Sequence, residues 1–234
     1  MNRIPLNKRI IFALDFDTVE MAKSWVIKLK DKIKHFKVGL QLFLIGGFDF
    51  LKWLKDQDVD IMLDLKFLDI PRTVNTALNQ VKDYADYITV HSREVILESI
   101  PEDLRGKILG VTVLTCFDNN DTISDSYYGV DTLVIKRTDY VIKNNCAGVV
   151  ASGRETNILR KIYNDDFIIV TPGISLEKPR NDDQKRVVTI EEAFKNGSNY
   201  VVIGRPVYQS DDPIKTVELA QEKIGDTFQL RVMV

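Results

Sequence analysis

The stretch Ile61-Met62-Leu63-Asp64-Leu65-Lys66-Phe67 alternates residue by residue. In an extended strand successive side chains point to opposite faces. One face is then Ile61, Leu63, Leu65 and Phe67, wholly apolar and suited to lie beneath helices; the other carries Met62, Asp64 and Lys66. Two upstream segments read the same way. In 9–16, Ile10, Phe12 and Leu14 point outward and leave Ala13 and Asp15 inside. In 35–40, Phe36, Val38 and Leu40 point outward and leave Lys37 and Gly39 inside.

Five further β-rich runs follow, at 87–92, 107–114, 148–152, 167–174 and 200–207. Between them lie stretches with apolar residues three or four apart, such as Val26, Leu29 and Ile33, which suit amphipathic helices at 19–34, 41–57, 71–84, 95–99, 132–145, 155–164, 190–196 and 213–224. Eight strand–helix units in 234 residues average about 29 residues each, the size of a compact (β/α)8 TIM barrel. A doubly wound sheet has five or six strands. No linker-like or low-complexity tract divides the chain, so residues 1–234 are expected to form one α/β barrel domain. In such a barrel the active site sits at the C-terminal ends of the strands. Asp15, Lys37, Asp64 and Lys66 then converge at the top of three consecutive strands.

Composition narrows the function. With 32 Lys+Arg against 34 Asp+Glu, the net charge of −2 lacks the basic field of a nucleic-acid-coating protein. His35 and His91 are the only histidines and Cys116 and Cys146 the only cysteines, which excludes four-cysteine and three-histidine zinc sites. Two cysteines on otherwise apolar segments fit a reduced protein. Residues 1–16 have no uninterrupted signal-peptide core, and no apolar run approaches the ~18 residues that span a bilayer. A cytoplasmic protein without a membrane partner is expected.

Four converging charges have a bland alternative, a salt-bridge network that fills the barrel. Desolvating two lysines and two carboxylates is costly, and such networks rarely improve on apolar packing. A catalytic reading therefore prevails. Asp64, Lys66 and Asp69 alternate in sign along one short segment, and neighbouring carboxylates favour the cationic form of a lysine. Such a lysine suits general acid work; a Schiff-base lysine needs an apolar or cationic setting. A carboxylate beside it repels an anionic substrate group. Together they suit a reaction in which a carboxylate leaves and the resulting carbanion is protonated.

At the other end of the chain, Tyr200-Val201-Val202-Ile203-Gly204-Arg205-Pro206 closes a strand with Gly-Arg. Glycine admits a phosphate close to the backbone and arginine supplies a bidentate donor. A long polar segment, 172–186, precedes it and contains Gln184. Loops after strands seven and eight are the habitual phosphate site of this fold.

Asp64-Leu-Lys66-Phe-Leu-Asp69-Ile70-Pro71-Arg-Thr73 resembles the DxKxxDIPxT signature of the orotidine 5′-phosphate decarboxylase family, and most closely its bacterial form. Ala13-Leu14-Asp15, Lys37-Val38-Gly39, Val111–Thr115, Thr171-Pro172-Gly173-Ile174, Asp183-Gln184 and Ile203–Pro206 follow in the family's order, from about residue 10 to residue 220. The resemblance implies conversion of orotidine 5′-phosphate to UMP and CO2, with neither metal nor organic cofactor. It implies that Lys66 protonates pyrimidine C6, that Asp64 faces the substrate carboxylate and that Lys37 bridges the charged array and the ribose. Asp15 would bind a ribose hydroxyl, Thr115 the ring, and Gln184, Gly204 and Arg205 the phosphate. Asp69 and Thr73 would reach into the neighbouring subunit's site, which implies a homodimer with shared sites. Two positions depart from the pattern. Ser175 stands where an arginine usually follows Pro-Gly-Ile, leaving Lys178 or Arg180 as substitutes, and Ser92-Arg93 follows His91 where small residues are usual.

Metal-dependent relatives, a keto-gulonate-phosphate decarboxylase or a hexulose-phosphate synthase, share Asp-x-Lys-x-x-Asp, but Ile70-Pro71-x-Thr73 and Gln184 fit them poorly. A nucleotide-binding module without turnover is the remaining alternative. His91 reads as a hydrogen-bonded interior histidine, His35 as a residue of the barrel's stability face and Cys116 as a bystander thiol. The run 118–125 lacks the glycine and glutamate of a calcium loop at positions 123 and 129, which are Ile123 and Gly129, and reads as a solvated loop.

Overall fold

The computed structural model describes residues 4–126, 128–164, 166–176 and 187–232. Strands β1 (Ile10–Ala13), β2 (His35–Gly39), β3 (Asp60–Phe67), β4 (Tyr87–His91), β5 (Ile108–Val111), β6 (Gly148–Val150) and β7 (Ile168–Thr171) are joined by β10 (Tyr200–Ile203). These eight close in the order β1-β10-β7-β6-β5-β4-β3-β2, with every pairing parallel. The expected (β/α)8 barrel is the fold. A separate parallel pair, β8 (Ile174–Ser175) and β9 (Val188–Thr189), lies in the seventh connection.

The helices are α1 (Leu6–Arg9), α2 (Val19–Leu29), α3 (Leu40–Lys55), α4 (Pro71–Val81), α5 (Glu94–Ser99), α6 (Glu102–Arg105), α7 (Asn119–Ser126), α8 (Val130–Lys143), α9 (Gly153–Tyr163), α10 (Ile190–Lys195), α11 (Arg205–Tyr208) and α12 (Pro213–Val232). Local chemistry sets many of their starts. Thr18 caps α2, Pro71 opens α4, and Ser152 with Glu155 and Thr189 with Glu192 form reciprocal capping boxes on α9 and α10.

The inward and outward faces fall as the alternation requires, except that Leu40, expected on the outward face of β2, opens α3 and is exposed. Ile10, Phe12, Leu14, Phe36, Val38, Ile61 and Leu63 belong to the large core between strands and helices. A smaller interior core holds Ile11, Met62, Leu109 and Val170, drawn from alternate strands as barrel layers are, together with Tyr200. At the N-terminal end, His35 packs against Tyr87 and Tyr200 with ring centroids 5.8 and 5.5 Å away. The next inward residues on β2 and β4 toward the other end are Lys37 and Thr89, both buried.

Several expectations change. The run 118–125 is not a loop: Asp118 precedes helix Asn119–Ser126, its carboxylate accepts from the Asn120 and Asp121 N–H groups, and the Asp121 carboxylate accepts from the Asp118 N–H, a reciprocal cap that starts α7. The seventh strand stops at Thr171 because Gly173, at φ 74°, turns the chain before Ile174 pairs with Val188. The eighth stops at Ile203, since Arg205–Tyr208 is already helical. Helix α3 is broken at Gly47, which sits at φ 52° and ψ −151°.

Candidate active site

β1, β2 and β3 deliver the four charges to one end of the barrel. The Lys37 ammonium donates to Asp15 Oδ1 at 2.9 Å and lies 3.6 Å from Asp64 Oδ2. The Lys66 ammonium donates to Asp64 Oδ1 at 2.8 Å. Asp15, Lys37, Asp64 and Lys66 thus form one continuous chain of alternating sign. The side chains of Lys37 and Asp64 are only 10% and 12% exposed, against 37% for Lys66 and 55% for Asp15. The middle of the chain is buried and both ends are open to a ligand.

Burial and pairing compete at each inner group. Burial alone would lower the Lys37 ammonium, but the carboxylates of Asp64 and Asp15 outweigh it and hold it above the ordinary lysine value. Burial would raise Asp64, but Lys37 and Lys66, aided by the Thr89 hydroxyl, hold its carboxyl below the ordinary aspartate value. Both groups are charged, and each is the reason for the other. Gly39 makes room for the pair: a Cβ there would come within 3.2 Å of both Asp15 Oδ1 and Lys37 Nζ.

Lys66 is not on regular strand. β3 and β4 pair through Leu63 with Ile88 and then Phe67 with Val90, so β3 spends two more residues than β4 over that interval. Lys66 lies in this irregularity at φ 49°, the left-handed region that non-glycine residues seldom occupy. Its N–H donates to Thr89 Oγ1 at 2.9 Å, and the Thr89 hydroxyl donates to Asp64 Oδ1 at 3.0 Å. Thr89 lies on the inward face of β4, but its link to Lys66 depends on the register slip, which no local pattern reveals.

Asp69 departs from the alternation. The chain turns outward after Phe67, Asp69 is exposed, and its carboxylate accepts from the Ile70 N–H at 2.7 Å. Lys66 therefore pairs with Asp64 and not with Asp69. Thr73 is also exposed, in the first turn of α4. Thr115 follows β5 and Gly204 and Arg205 follow β10, at the same end as the charged chain. Gly204 approaches β1 so closely that a Cβ would stand 3.3 Å from Ala13 Cβ. Gln184, Lys178 and Arg180 lie outside the described residues.

His91 is not the hydrogen-bonded interior histidine expected. It is half-buried at the end of β4, and among the described residues its ring has no hydrogen bond. Burial, then the positive charges of Arg137 and Arg93, push it below the ordinary histidine value. Arg137 donates to the Thr112 carbonyl nearby. Cys116 is exposed and Cys146 buried, and they form no disulfide. Among the described residues no helix is long and apolar enough to cross a membrane.

Such a barrel, with paired lysines and carboxylates at the C-terminal ends of its first strands, where barrel enzymes carry their active sites, defines a barrel enzyme with a charged site. Residues 8–220 match the model of the orotidine 5′-phosphate decarboxylase / HUMPS family. A relative from Methylococcus capsulatus, named orotidine 5′-phosphate decarboxylase, is 40% identical over 231 residues, covering 96% of this chain and 95% of its own. One of the same name from Dictyoglomus turgidum is 36% identical over 240 residues, with 95% and 98% covered. Among solved structures, orotidine 5′-phosphate decarboxylase from Lactobacillus acidophilus superimposes with a TM-score of 0.77 at 28% identity, covering 93% of this chain and 99% of that one. The chain belongs to the orotidine 5′-phosphate decarboxylase / HUMPS family.

Proposed function

We propose that residues 1–234 form one catalytic domain that converts orotidine 5′-phosphate to UMP and CO2, the closing step of pyrimidine nucleotide synthesis, without metal or organic cofactor. The observation that carries this reading is the chain Asp15–Lys37–Asp64–Lys66, linked at 2.9, 3.6 and 2.8 Å. The names of the relatives supply the substrate.

In this mechanism the substrate carboxylate lies against Asp64, where two like charges repel. Cleavage of the bond from pyrimidine C6 to the carboxyl carbon releases neutral CO2 and relieves that repulsion, so the site favours the transition state over the ground state. The electron pair left on C6 takes a proton from the Lys66 ammonium. Lys66 then regains its proton from water, to which it is partly open. Lys37 stays charged between Asp15 and Asp64 and fixes both, while Asp15 and Lys37 hold the ribose. Gly204, Arg205 and Gln184 grip the phosphate, and Thr115 contacts the ring. Binding energy from the remote phosphate orients the reacting end. Each carboxylate of the array already has a lysine partner, which opposes a divalent cation and disfavours the metal-dependent relatives.

The reading includes a homodimer in which Asp69 and Thr73 complete the partner's site. Its support is the exposure of both residues beside exposed Leu68 and Ile70, with exposed Leu40 and Leu44 on the adjoining barrel unit. Such apolar exposure suits a protein interface. A Lys66→Ala chain and an Asp69→Asn chain, each impaired alone, should restore activity when mixed under subunit exchange, because one of the two hybrid sites is intact. No recovery with exchange demonstrated would reject shared sites. A cytoplasmic location belongs to the same proposal.

The primary test is the near-ultraviolet absorbance change of orotidine 5′-phosphate on adding the protein with EDTA present. Conversion to UMP despite the chelator is expected. No conversion, with UMP still protecting the protein against heat, would replace the reading with a binding module or a metal-dependent relative.

A further inference from the structure

We propose that Thr89 is a positioning residue that sets the proton-donating lysine through its backbone; this rests on the decarboxylase reading for the chemistry but not for the geometry. The β3 irregularity takes Lys66 out of the ladder, so its N–H needs another acceptor. Thr89 Oγ1 supplies one at 2.9 Å, and the same hydroxyl spends its only proton on Asp64 Oδ1 at 3.0 Å. Asp64 Oδ1 also receives the Lys66 ammonium at 2.8 Å. Backbone N–H, hydroxyl, carboxylate and ammonium therefore close a ring that begins and ends on Lys66. The ring ties a left-handed backbone at φ 49° to the carboxylate that the ammonium must face.

Thr89 has no exposed surface, so it acts through Lys66 and Asp64 and not on substrate. A β-branched residue suits strand β4, and valine would fill the same space without the hydroxyl. A valine would take the acceptor from the Lys66 N–H and remove a donor from Asp64. The lysine would lose its fixed aim, which the transition state needs more than the bound ground state does.

The test compares Thr89→Val with Thr89→Ser, using the intact protein. Thr89→Val is expected to lower kcat by about tenfold to a hundredfold, the range for losing a hydrogen bond to a charged group, with KM within about threefold of wild type. Thr89→Ser restores the hydroxyl and should recover kcat to within about fivefold. Amide exchange at Lys66, measured without substrate, should lose about tenfold or more of its protection in the valine variant and keep it in the serine variant. An unchanged kcat in Thr89→Val, a loss confined to KM, or equal impairment of the serine variant would overturn the proposal. If Thr89→Val does not fold, Thr89→Cys supplies the same comparison with a weak donor of serine's size, and wild-type kcat in it would overturn the role. A wild-type protein inert toward orotidine 5′-phosphate would reject the functional reading, while amide exchange would still decide whether Thr89 fixes Lys66.

Discussion

His35 and Lys37 stand two residues apart on β2, both point into the barrel, and both are buried, yet they have opposite fates. Lys37 keeps its charge because Asp15 and Asp64 stand at its ammonium. His35 loses its charge: among the described residues neither ring nitrogen has a hydrogen-bond partner within bonding geometry, and burial pushes the imidazole down to about 4, against only partial opposition, chiefly from Asp86. The same depth of burial gives a neutral aromatic floor at one end and a charged roof at the other. What differs is the partner, because a buried ion persists only where its desolvation is offset by a facing opposite charge.

The largest effect should come from breaking the charged end. Lys66→Ala removes the terminal ammonium and leaves Asp64 to Lys37 and Thr89. We expect kcat to fall by about 10⁴-fold, the upper range for loss of a general acid, while UMP binding measured by calorimetry persists. Normal turnover would mean that the alternating chain is structural filling like the floor beneath it.

The aromatic floor makes a prediction of different sign. A histidine whose folded pKa lies below its unfolded value binds more protons when unfolded, so stability falls as pH drops below the ordinary value. For His35 the fall runs from about 6.5 to about 4 and is worth about 3 kcal/mol. Asp64 acts in a lower window: its contribution is full above the ordinary 3.8 and is lost as pH falls through its depressed folded value. His35→Leu, similar in volume beside Tyr87 and Tyr200, should remove the first loss and leave the second. Urea unfolding at several pH values from 7 down to about 2 checks both windows. A wild type and variant with parallel profiles would show that the His35 imidazole keeps its charge by pairing with a carboxylate at that floor, Asp86 or Asp60.

Both ends were largely legible in the sequence, for one reason. Strict alternation in Ile61–Phe67 and its neighbours assigned Met62, Lys37 and Asp64 inward and Leu63, Val38 and Phe36 outward, and the cores follow that division. What escaped was whatever depended on a second strand or a local cap. The left-handed backbone at Lys66 arises from a slip against β4, so the inward aim of Lys66 was readable but its tether to Thr89 was not. The outward turn at Asp69 hid the fact that one carboxylate, not two, pairs with the lysine. Helix α7 has charged and polar residues throughout and almost no apolar stripe, so only its Asp118–Asp121 cap marks it.

The smallest effect concerns a polar group that, like His35, is buried with no hydrogen-bond partner among the described residues. Ser92 follows β4, is buried, and its hydroxyl has no hydrogen-bond partner among the described residues. Gly110 faces it, and a Cβ on that glycine would meet Ser92 Oγ at 2.5 Å and Val141 Cγ2 at 2.3 Å, so the pocket has no spare volume for a bridging group. An unsatisfied buried hydroxyl costs free energy that an alanine would not. Ser92→Ala should therefore stabilise the protein by about 1 kcal/mol and raise Tm by about 2–4 °C, read by thermal unfolding. Because the serine touches neither Lys66 nor Asp64, kcat should not move with it. A destabilised alanine variant would reveal a partner for the hydroxyl and place Ser92 with Lys37, among buried polar groups that their neighbours sustain.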